Sequence, residues 1–106
     1  MIYDSYDVGL AGEKAVVNWL NQKGWEITRW DTDAPGATDI EARSGNKKLL
    51  VQVKSAIYPN QPSSLSEEEE RNIKSRATMK DAEAWEARVV LDRSLNPMNI
   101  EWRKLN

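Results

Sequence analysis

The chain has 106 residues, with 15 basic and 17 acidic side chains, a net charge of -2 at pH 7, and neither Cys nor His. The missing residue types exclude a thiolate or imidazole zinc site, a Cys nucleophile and a Ser-His-Asp triad. The length predicts one domain, residues 1–106, with a single core. Carboxylate and amide oxygens are the metal ligands that remain. They favour hard cations, so any metal is expected to be Mg²⁺ or Mn²⁺.

The sequence indicates a soluble, cytoplasmic protein with no membrane association. No basic and apolar signal sequence begins the chain, and no run approaches the roughly 20 apolar residues that a membrane helix needs. The absence of Cys fits a reducing compartment. A sequence pI near 5.2 argues against strong, nonspecific binding of nucleic acid. Metal-site carboxylates count as negative in that total, however, and a bound divalent cation would offset them locally.

The first predicted element is a helix that Ser5 or Asp7 caps and that runs to about Lys23, where Gly24 closes it. Residues 25–30 follow as a short strand rich in β-forming side chains. A polar loop, residues 31–36, then leads towards the next strand. This arrangement predicts a helix at one side of a sheet, followed by an edge-side strand.

Glu13 lies within the apolar stripe of that helix. Val16, Val17 and Leu20 stand three, four and seven residues after it, so the carboxylate points inward. An isolated ionised carboxylate is costly to bury, so Glu13 requires a partner. A Lys or Arg would make it structural, whereas a metal ion or its water shell would make it functional, and we favour the functional role.

The next stretch predicts a β-hairpin in which two polar pairs converge. Asp39 and Glu41 share one face of the first strand, and a Ser-Gly-Asn turn leads into the second strand, residues 47–55. That strand is nearly continuous in apolar residues, which indicates burial on both faces, but Gln52 and Lys54 interrupt it. One possible role of these two side chains is purely structural, as hydrogen-bonding groups at the end of a sheet. Because Asp39 and Glu13 are expected nearby, we favour the other role, in which Gln52 and Lys54 take part in catalysis.

The second half of the chain begins with residues 56–64, which contain two prolines and are predicted to form a flexible loop. This loop could close over a substrate, or it could equally be only a connector. Ser66 and Glu69 form a predicted capping box, and the acidic run 67–70 suits the first turn of a helix that continues to about Trp85. A solvated helix start accounts for the whole acidic run, so we expect no metal or partner role for it.

Lys80 falls inside the apolar stripe of this second helix. It could reach a phosphate or the active site, but a lysine that snorkels from a partly buried face is the commoner arrangement. Residues 86–92 are typical of a buried strand, Asn96-Pro97 of a turn, and residues 98–105 of a last strand.

The element order predicts an α/β fold, α-β-β-β-α-β-β, with a central mixed sheet flanked by helices. The chain has five Trp and no Phe. We place two Trp on helices and three in strands, where core packing is the leading role and an amphipathic dimer surface the second. The placements are Trp19 and Trp85 on helices, and Trp25, Trp30 and Trp102 in strands.

Asp39 followed by Gln52-Val53-Lys54 resembles the signature of the PD-(D/E)XK nuclease superfamily, which is an Asp, a hairpin spacer, then Glu-X-Lys or a variant. Residues 36–42 and 51–55 resemble strings of the archaeal Holliday junction resolvases. The Gln-X-Lys form is similar to that of Mrr-type restriction endonuclease catalytic domains. This resemblance covers most of the chain and implies a restriction-endonuclease-like core.

The resemblance implies a Mg²⁺-dependent endodeoxyribonuclease that acts on Holliday junctions or other branched DNA, in recombination or repair. It implies that Asp39, the amide oxygen of Gln52 and the Val53 carbonyl hold the metal. Lys54 would orient or deprotonate the attacking water, and Glu13 would hold the metal or its water shell. A homodimer is expected, because a two-fold symmetric junction needs two cuts and one small domain carries one site.

Two alternatives remain open. A restriction-like nuclease of the Mrr type would need an extra DNA-reading domain, and a degenerate nuclease fold would serve as a DNA-binding or assembly module. The acidic pI and Gln52 favour the second of these. Because an amide binds Mg²⁺ more weakly than a carboxylate, an active site requires another acid. Glu13 is our first candidate for it and Glu41 the second.

Overall fold

The elements follow one another in the predicted order. The computed structural model describes residues 3–31 and 40–106. Asp39, the first residue of the predicted motif, lies outside the described residues. The elements are α1 Ser5–Gln22, β1 Glu26–Arg29, β2 Ile40–Ser44, β3 Lys47–Ile57, α2 Glu67–Lys80, β4 Glu83–Leu91 and β5 Pro97–Lys104.

The strands form one mixed sheet in the order β1-β2-β3-β4-β5. Strands β3 and β4 are parallel and are joined by α2, whereas all other neighbours are antiparallel. A parallel pair needs a crossover connection, which α2 supplies. The predicted α/β class with a mixed sheet flanked by helices is therefore confirmed.

The two helices cover opposite faces of the sheet, and each face has its own core. The larger core lies under α1 and the smaller under α2. Neither helix among the described residues is long and apolar enough to cross a membrane. The larger core includes Val16, Leu20, Val51, Val53, Val89 and Leu91, and the smaller one includes Leu50, Leu65, Ile73, Ala77, Ala84 and Leu105.

The register of the β2–β3 hairpin fixes which side chains share a face. Glu41 stands opposite Leu50, and Gly45 makes the turn with a φ of 60°. Because side chains alternate along a strand, Glu41 and Leu50 share a face with Gln52 and Lys54. This is the face that α2 covers, and it agrees with the predicted alternation.

The ends of the first helix and the first strand differ from the prediction. Asp4 caps α1, since its carboxylate accepts the Asp7 N–H at 2.9 Å, so the predicted caps lie inside the helix. Gly24 follows the helix with a φ of 89°, as expected. Trp25 and Trp30 flank β1 rather than lying in it.

The predicted end of the second helix is wrong by five residues. The helix stops at Lys80, where Asp81 adopts a left-handed conformation with a φ of 55°. Trp85 therefore lies in β4, where it pairs with Val51 of β3. The stretch from Ala82 to Glu86 is rich in helix formers, but parallel pairing with β3 overrides that preference.

The segment between β3 and α2 is anchored, whereas the sequence indicated a flexible loop. Ala56 and Ile57 extend β3, and both Pro62 and Leu65 are buried. The Leu65 N–H donates to the carboxylate of Glu86 at 2.7 Å. The chain therefore enters α2 from a fixed point on the sheet.

Candidate active site

Gln52 and Lys54 lie on β3 and face α2. Gln52 is 6% exposed, and Lys54 is half-buried. Both follow Leu50, which belongs to the apolar core beneath α2. Gln52 and Lys54 therefore lie at the edge of the apolar core beneath α2, and α2 packs over them.

Glu69, in the first turn of α2, meets both side chains. Lys54 Nζ donates to Glu69 Oε2 at 2.8 Å, and Gln52 Nε2 donates to the same oxygen at 3.4 Å. The other oxygen, Oε1, accepts the Ser66 N–H at 2.9 Å. The bond from Lys54 and then that from the Ser66 backbone hold the pKa of Glu69 below its usual value. Glu69 is therefore an ionised and oriented carboxylate.

Sequence reasoning missed this residue. The predicted capping box is present, and from the sequence alone a solvated helix start accounts for the whole acidic run. The structure shows that Glu69 and Glu70 are half-buried and bind Lys54 and Arg103, so a solvated helix start does not explain them. Glu69 and Lys54 are 15 residues apart, and only the crossover brings them together.

Glu86 extends the polar row onto β4, where it stands beside Gln52 in the parallel pair. It is 1% exposed and accepts hydrogen bonds from Arg103 Nε at 2.9 Å and the Leu65 N–H at 2.7 Å. Burial alone would raise the pKa of Glu86, but these two hydrogen bonds and the charges of Arg103 and Arg88 lower it overall. Glu86 thus ties β4, β5 and the start of α2 together.

Glu13 lies in the layer on the other side of the sheet. It is 3% exposed, and its Oε1 accepts a hydrogen bond from Trp30 Nε1 at 2.9 Å. The prediction that this inward carboxylate has a partner is confirmed, although this partner is an indole. Since α1 packs against Val51 and Val53 rather than against Gln52, a metal role for Glu13 stays a prediction.

Glu41 and Lys80 bind each other. Lys80 Nζ lies 3.0 and 3.2 Å from the two carboxylate oxygens of Glu41, and Arg29 approaches the same carboxylate at 3.6 Å. Lys80 is exposed at the end of α2. The charge of Glu41 is thus already balanced by two cations, and its strand partner Leu50 stands two residues before Gln52.

The donor atoms at this site suit a hard cation in type. Within residues 3–31 and 40–106, no three acidic side chains come together as a metal centre. What the site offers is the carboxylate of Glu69 and the amide of Gln52, and Asp39 directly precedes β2 in the sequence. All of these are oxygen donors, which Mg²⁺ and Mn²⁺ prefer. The donor atoms therefore match such an ion in type, and the binding of a metal stays a prediction.

A groove lined by indole rings opens on the α1 face, where β3 and β4 begin. Its volume is about 320 Å³. The Trp19 and Trp102 rings lie 4.8 Å apart, and Trp85 meets Trp102 edge to face at 6.2 Å. This groove lies on the sheet face opposite the polar row. Its lining residues are Trp19, Leu20, Trp25, Leu49, Glu83, Trp85 and Trp102.

Comparison with solved structures shows the fold. The chain is similar to Hjc of Archaeoglobus fulgidus, a Holliday junction resolvase from an archaeal hyperthermophile, with a TM-score of 0.65 and 21% sequence identity. The similarity covers 92% of this chain and 72% of that one. No curated protein matches. A family model described as a domain of unknown function, DUF8840, matches residues 10–104, so the chain belongs to that family.

Proposed function

We propose that the protein is a Mg²⁺-dependent endodeoxyribonuclease that cuts Holliday junctions or other branched DNA. One observation supports this more than any other. Gln52 and Lys54, the second half of the predicted motif, lie side by side with the Glu69 carboxylate at the edge of a core, in a chain with a resolvase-like fold. In the printed sequence Asp39 stands one residue before β2, the partner strand of β3.

The cation would be held by Asp39, the Gln52 amide oxygen and the Val53 carbonyl, with Glu13 as a further candidate for its water shell. When bound, a divalent cation lowers the pKa of water and neutralises charge on the phosphate. Gln52 donates to Glu69 through Nε2, which leaves its amide oxygen as the end that can face a cation. The buried setting of Gln52 holds that amide in one orientation.

Lys54 supplies the positive charge of the site. Its ammonium group orients the attacking water or takes part in its deprotonation, and it stabilises negative charge on the phosphate. The half-buried stem keeps the ammonium near the strand end, where it contacts Glu69 at 2.8 Å. Lys54 can act on a phosphate only when its ammonium group is not fully engaged by the Glu69 carboxylate.

We further propose that the active form is a homodimer with branched DNA as its partner. Two symmetric cuts need two sites, and the predicted motif occurs once in the chain. The indole groove offers an apolar surface on the sheet face opposite Gln52 and Lys54. Contact between two subunits through this groove would leave the polar face of each subunit open to DNA. Sedimentation at micromolar concentration tests this, and a monomer that makes paired cuts would contradict it.

Cleavage assays test the proposed function directly. A four-way junction and a linear duplex of matched sequence are incubated with the protein, with and without Mg²⁺. The proposal requires Mg²⁺-dependent cutting of the junction in preference to the duplex. Equal cutting of both would indicate a restriction-like nuclease instead.

A second candidate function, a catalytically inactive DNA-binding or assembly module, is favoured by one specific observation. Glu69 already satisfies both Gln52 and Lys54, as it would in a purely structural cluster. In that case the protein would bind junction DNA and leave it uncut at any Mg²⁺ or Mn²⁺ concentration. A gel-shift titration run beside the cleavage assay separates the two functions.

A further inference from the structure

A second groove, of about 450 Å³, opens between the β2–β3 hairpin and the end of α2. Arg43 and Lys48 line it on the hairpin, and Met79 and Lys80 line it on the helix. We propose that this hairpin groove binds the phosphodiester backbone of DNA, with Arg43 and Lys48 as the phosphate-binding side chains. The inference rests on DNA as the partner in the proposed function, and it adds a contact surface outside the candidate active site.

Arg43 and Lys48 stand directly opposite each other across the antiparallel hairpin. Paired residues of neighbouring strands point to the same face, so the two cationic side chains are neighbours. Like charges in this position destabilise the pairing of two strands. The fold therefore gains nothing from this pair, whereas an anionic group placed between the two cations is attracted to both of them.

Both cations are available to a ligand. Lys48 is exposed, and it forms no ion pair within residues 3–31 and 40–106. Arg43 meets Glu26 at 3.5 Å, but the two side chains are 54% and 69% exposed. An ion pair so open to solvent contributes little free energy. Each cation can therefore turn to a phosphate without leaving a buried group unpaired.

The acids near the groove do not cancel its positive charge. Glu41 is shared by two cations, Lys80 at 3.0 Å and Arg29 at 3.6 Å. Asp81 is the other acid in the lining, against the three lining cations Arg43, Lys48 and Lys80. The groove thus carries an excess of positive charge in a protein whose net charge is -2. Such a local excess attracts an anionic partner.

The position of Lys48 connects the groove to the candidate active site. Lys48 and Lys54 lie on the same strand, six residues apart, and alternation places them on the same face. A strand rises about 3.3 Å per residue, so the two positions are roughly 20 Å apart. This distance is about the axial length of six base pairs at 3.4 Å each. A single duplex arm of a junction is therefore long enough to contact both lysines.

The lining also carries apolar surface, which Leu50, Met79 and Ala82 contribute. A DNA backbone presents both kinds of surface, since the carbons of deoxyribose stand beside the charged phosphate oxygens. Met79 is 85% exposed, so it takes no part in the core. Its position therefore allows the charge of the groove to be changed without disturbing the fold.

DNA binding in EDTA tests the proposal apart from cleavage. A labelled four-way junction and a linear duplex of matched sequence are titrated with the full-length protein at several salt concentrations. Lys48→Gln and Arg43→Gln should each weaken binding about threefold to tenfold on both DNAs and reduce the salt dependence by about one unit of slope, as loss of a phosphate contact does. Thermal stability should not fall for Lys48→Gln, because the substitution removes a like-charge pair.

Lys14→Gln is the matched control, since it removes an exposed cation from α1, on the opposite side of the sheet. It should change the affinity less than twofold. An equal loss in Lys14→Gln would show an effect of overall charge and refute the groove.

A charge reversal at Met79 provides a second test. Met79→Glu should weaken binding and Met79→Lys should strengthen it, and equal affinities for the two variants would refute the groove. If the wild type cuts DNA while Arg43→Gln and Lys48→Gln bind like the wild type, the groove is refuted and the nuclease function stands. If these variants lose affinity and the wild type binds DNA but never cuts it, the groove stands and the nuclease function fails. A wild type that binds neither DNA refutes both.

Discussion

The two faces of the central sheet carry different types of side chain. Under α1, the face is apolar and aromatic, with all five Trp packed against its core. Under α2, a small apolar core gives way to a row of charged and amide side chains along three neighbouring strands. Those side chains are Gln52 and Lys54 on β3, Glu86 and Arg88 on β4, and Glu101 and Arg103 on β5.

Under the proposed function, this difference separates the face that supplies most of the stability from the face that carries the chemistry. Apolar area removed from water contributes about 25 cal/mol per Å², so the larger α1 core supplies most of the hydrophobic free energy. In the row on the α2 face, each charge has an opposite partner, which limits the cost of burying it. Such pairs stabilise the fold little, but they hold their side chains in fixed positions.

The largest expected effect is on the rate of cleavage. Asp39→Asn removes the negative charge of a proposed metal ligand with little change in volume. Lys54→Ala removes the ammonium group. Each should lower the rate of junction cleavage about 100-fold or more, the range for loss of a group that takes part in proton transfer. The measurement is single-turnover cleavage at saturating Mg²⁺, with circular dichroism to show that the variants remain folded. Wild-type turnover in either variant would show that the site is wrongly assigned.

The largest expected effect on stability comes from the opposite face. Leu91→Ala, at a position that is 0% exposed in the α1 core and outside the indole groove, should lower the free energy of unfolding by about 2–5 kcal/mol. Cleavage per folded molecule should be unchanged, because the side chain lies on the far side of the sheet from Lys54. Urea denaturation measures the first quantity. A large loss of cleavage by the folded variant would break the proposed separation of the two faces.

A close contact between α1 and β3 gives a smaller effect on the same face. A methyl group at Gly12 would meet the Ser55 hydroxyl and lie 2.8 Å from Ser55 Cβ, so Gly12→Ala should cost about 1–3 kcal/mol. The Ser55 hydroxyl is buried, and none of residues 3–31 and 40–106 forms a hydrogen bond with it. Ser55→Ala should therefore cost little alone and recover part of the loss in the double variant. Strict additivity in a double-mutant cycle would show that the two residues do not meet.

The smallest effect concerns the pH dependence of stability. Because the pKa of Glu86 is lowered in the folded state, its carboxylate stabilises the protein fully at pH values above its unfolded pKa. That contribution is lost as the pH falls from there through the lower folded value. Glu86→Gln should lower the free energy of unfolding by about 1.5 kcal/mol at neutral pH. It should also make the loss of stability at acidic pH less steep. An unchanged acid limb in thermal melts between pH 7 and pH 3 would contradict the assignment.

Much of the fold could be predicted from local patterns. The apolar stripe of α1, the Ser-Gly turn of the hairpin and the nearly continuous apolar run of β3 each carry their structure in neighbouring residues. The α2 to β4 boundary could not be predicted, because Glu83, Ala84 and Trp85 take their strand conformation from pairing with β3. A helical preference of a few tenths of a kcal/mol per residue cannot outweigh such pairing.

The site divides in the same way. Strand alternation correctly placed Glu41, Gln52 and Lys54 on one face. The position of Glu69 depends on where a crossover helix returns to the sheet, and four successive acids in the sequence give no means of choosing among them. The ion pair of Glu41 with Lys80, across 39 residues, was unpredictable for the same reason.

The capping box of α2 makes the charge state of the site depend on a single helical turn. Glu69 reaches Lys54 and Gln52 on β3 from a position that Ser66, its neighbour three residues away, fixes through the capping box. Helix ends open locally at a small fraction of the free energy of global unfolding. Each time this first turn frays, Lys54 loses its counterion while both cores stay intact. The ion pair between Lys54 and Glu69 can therefore open on the timescale of helix fraying, independently of the global stability of the protein.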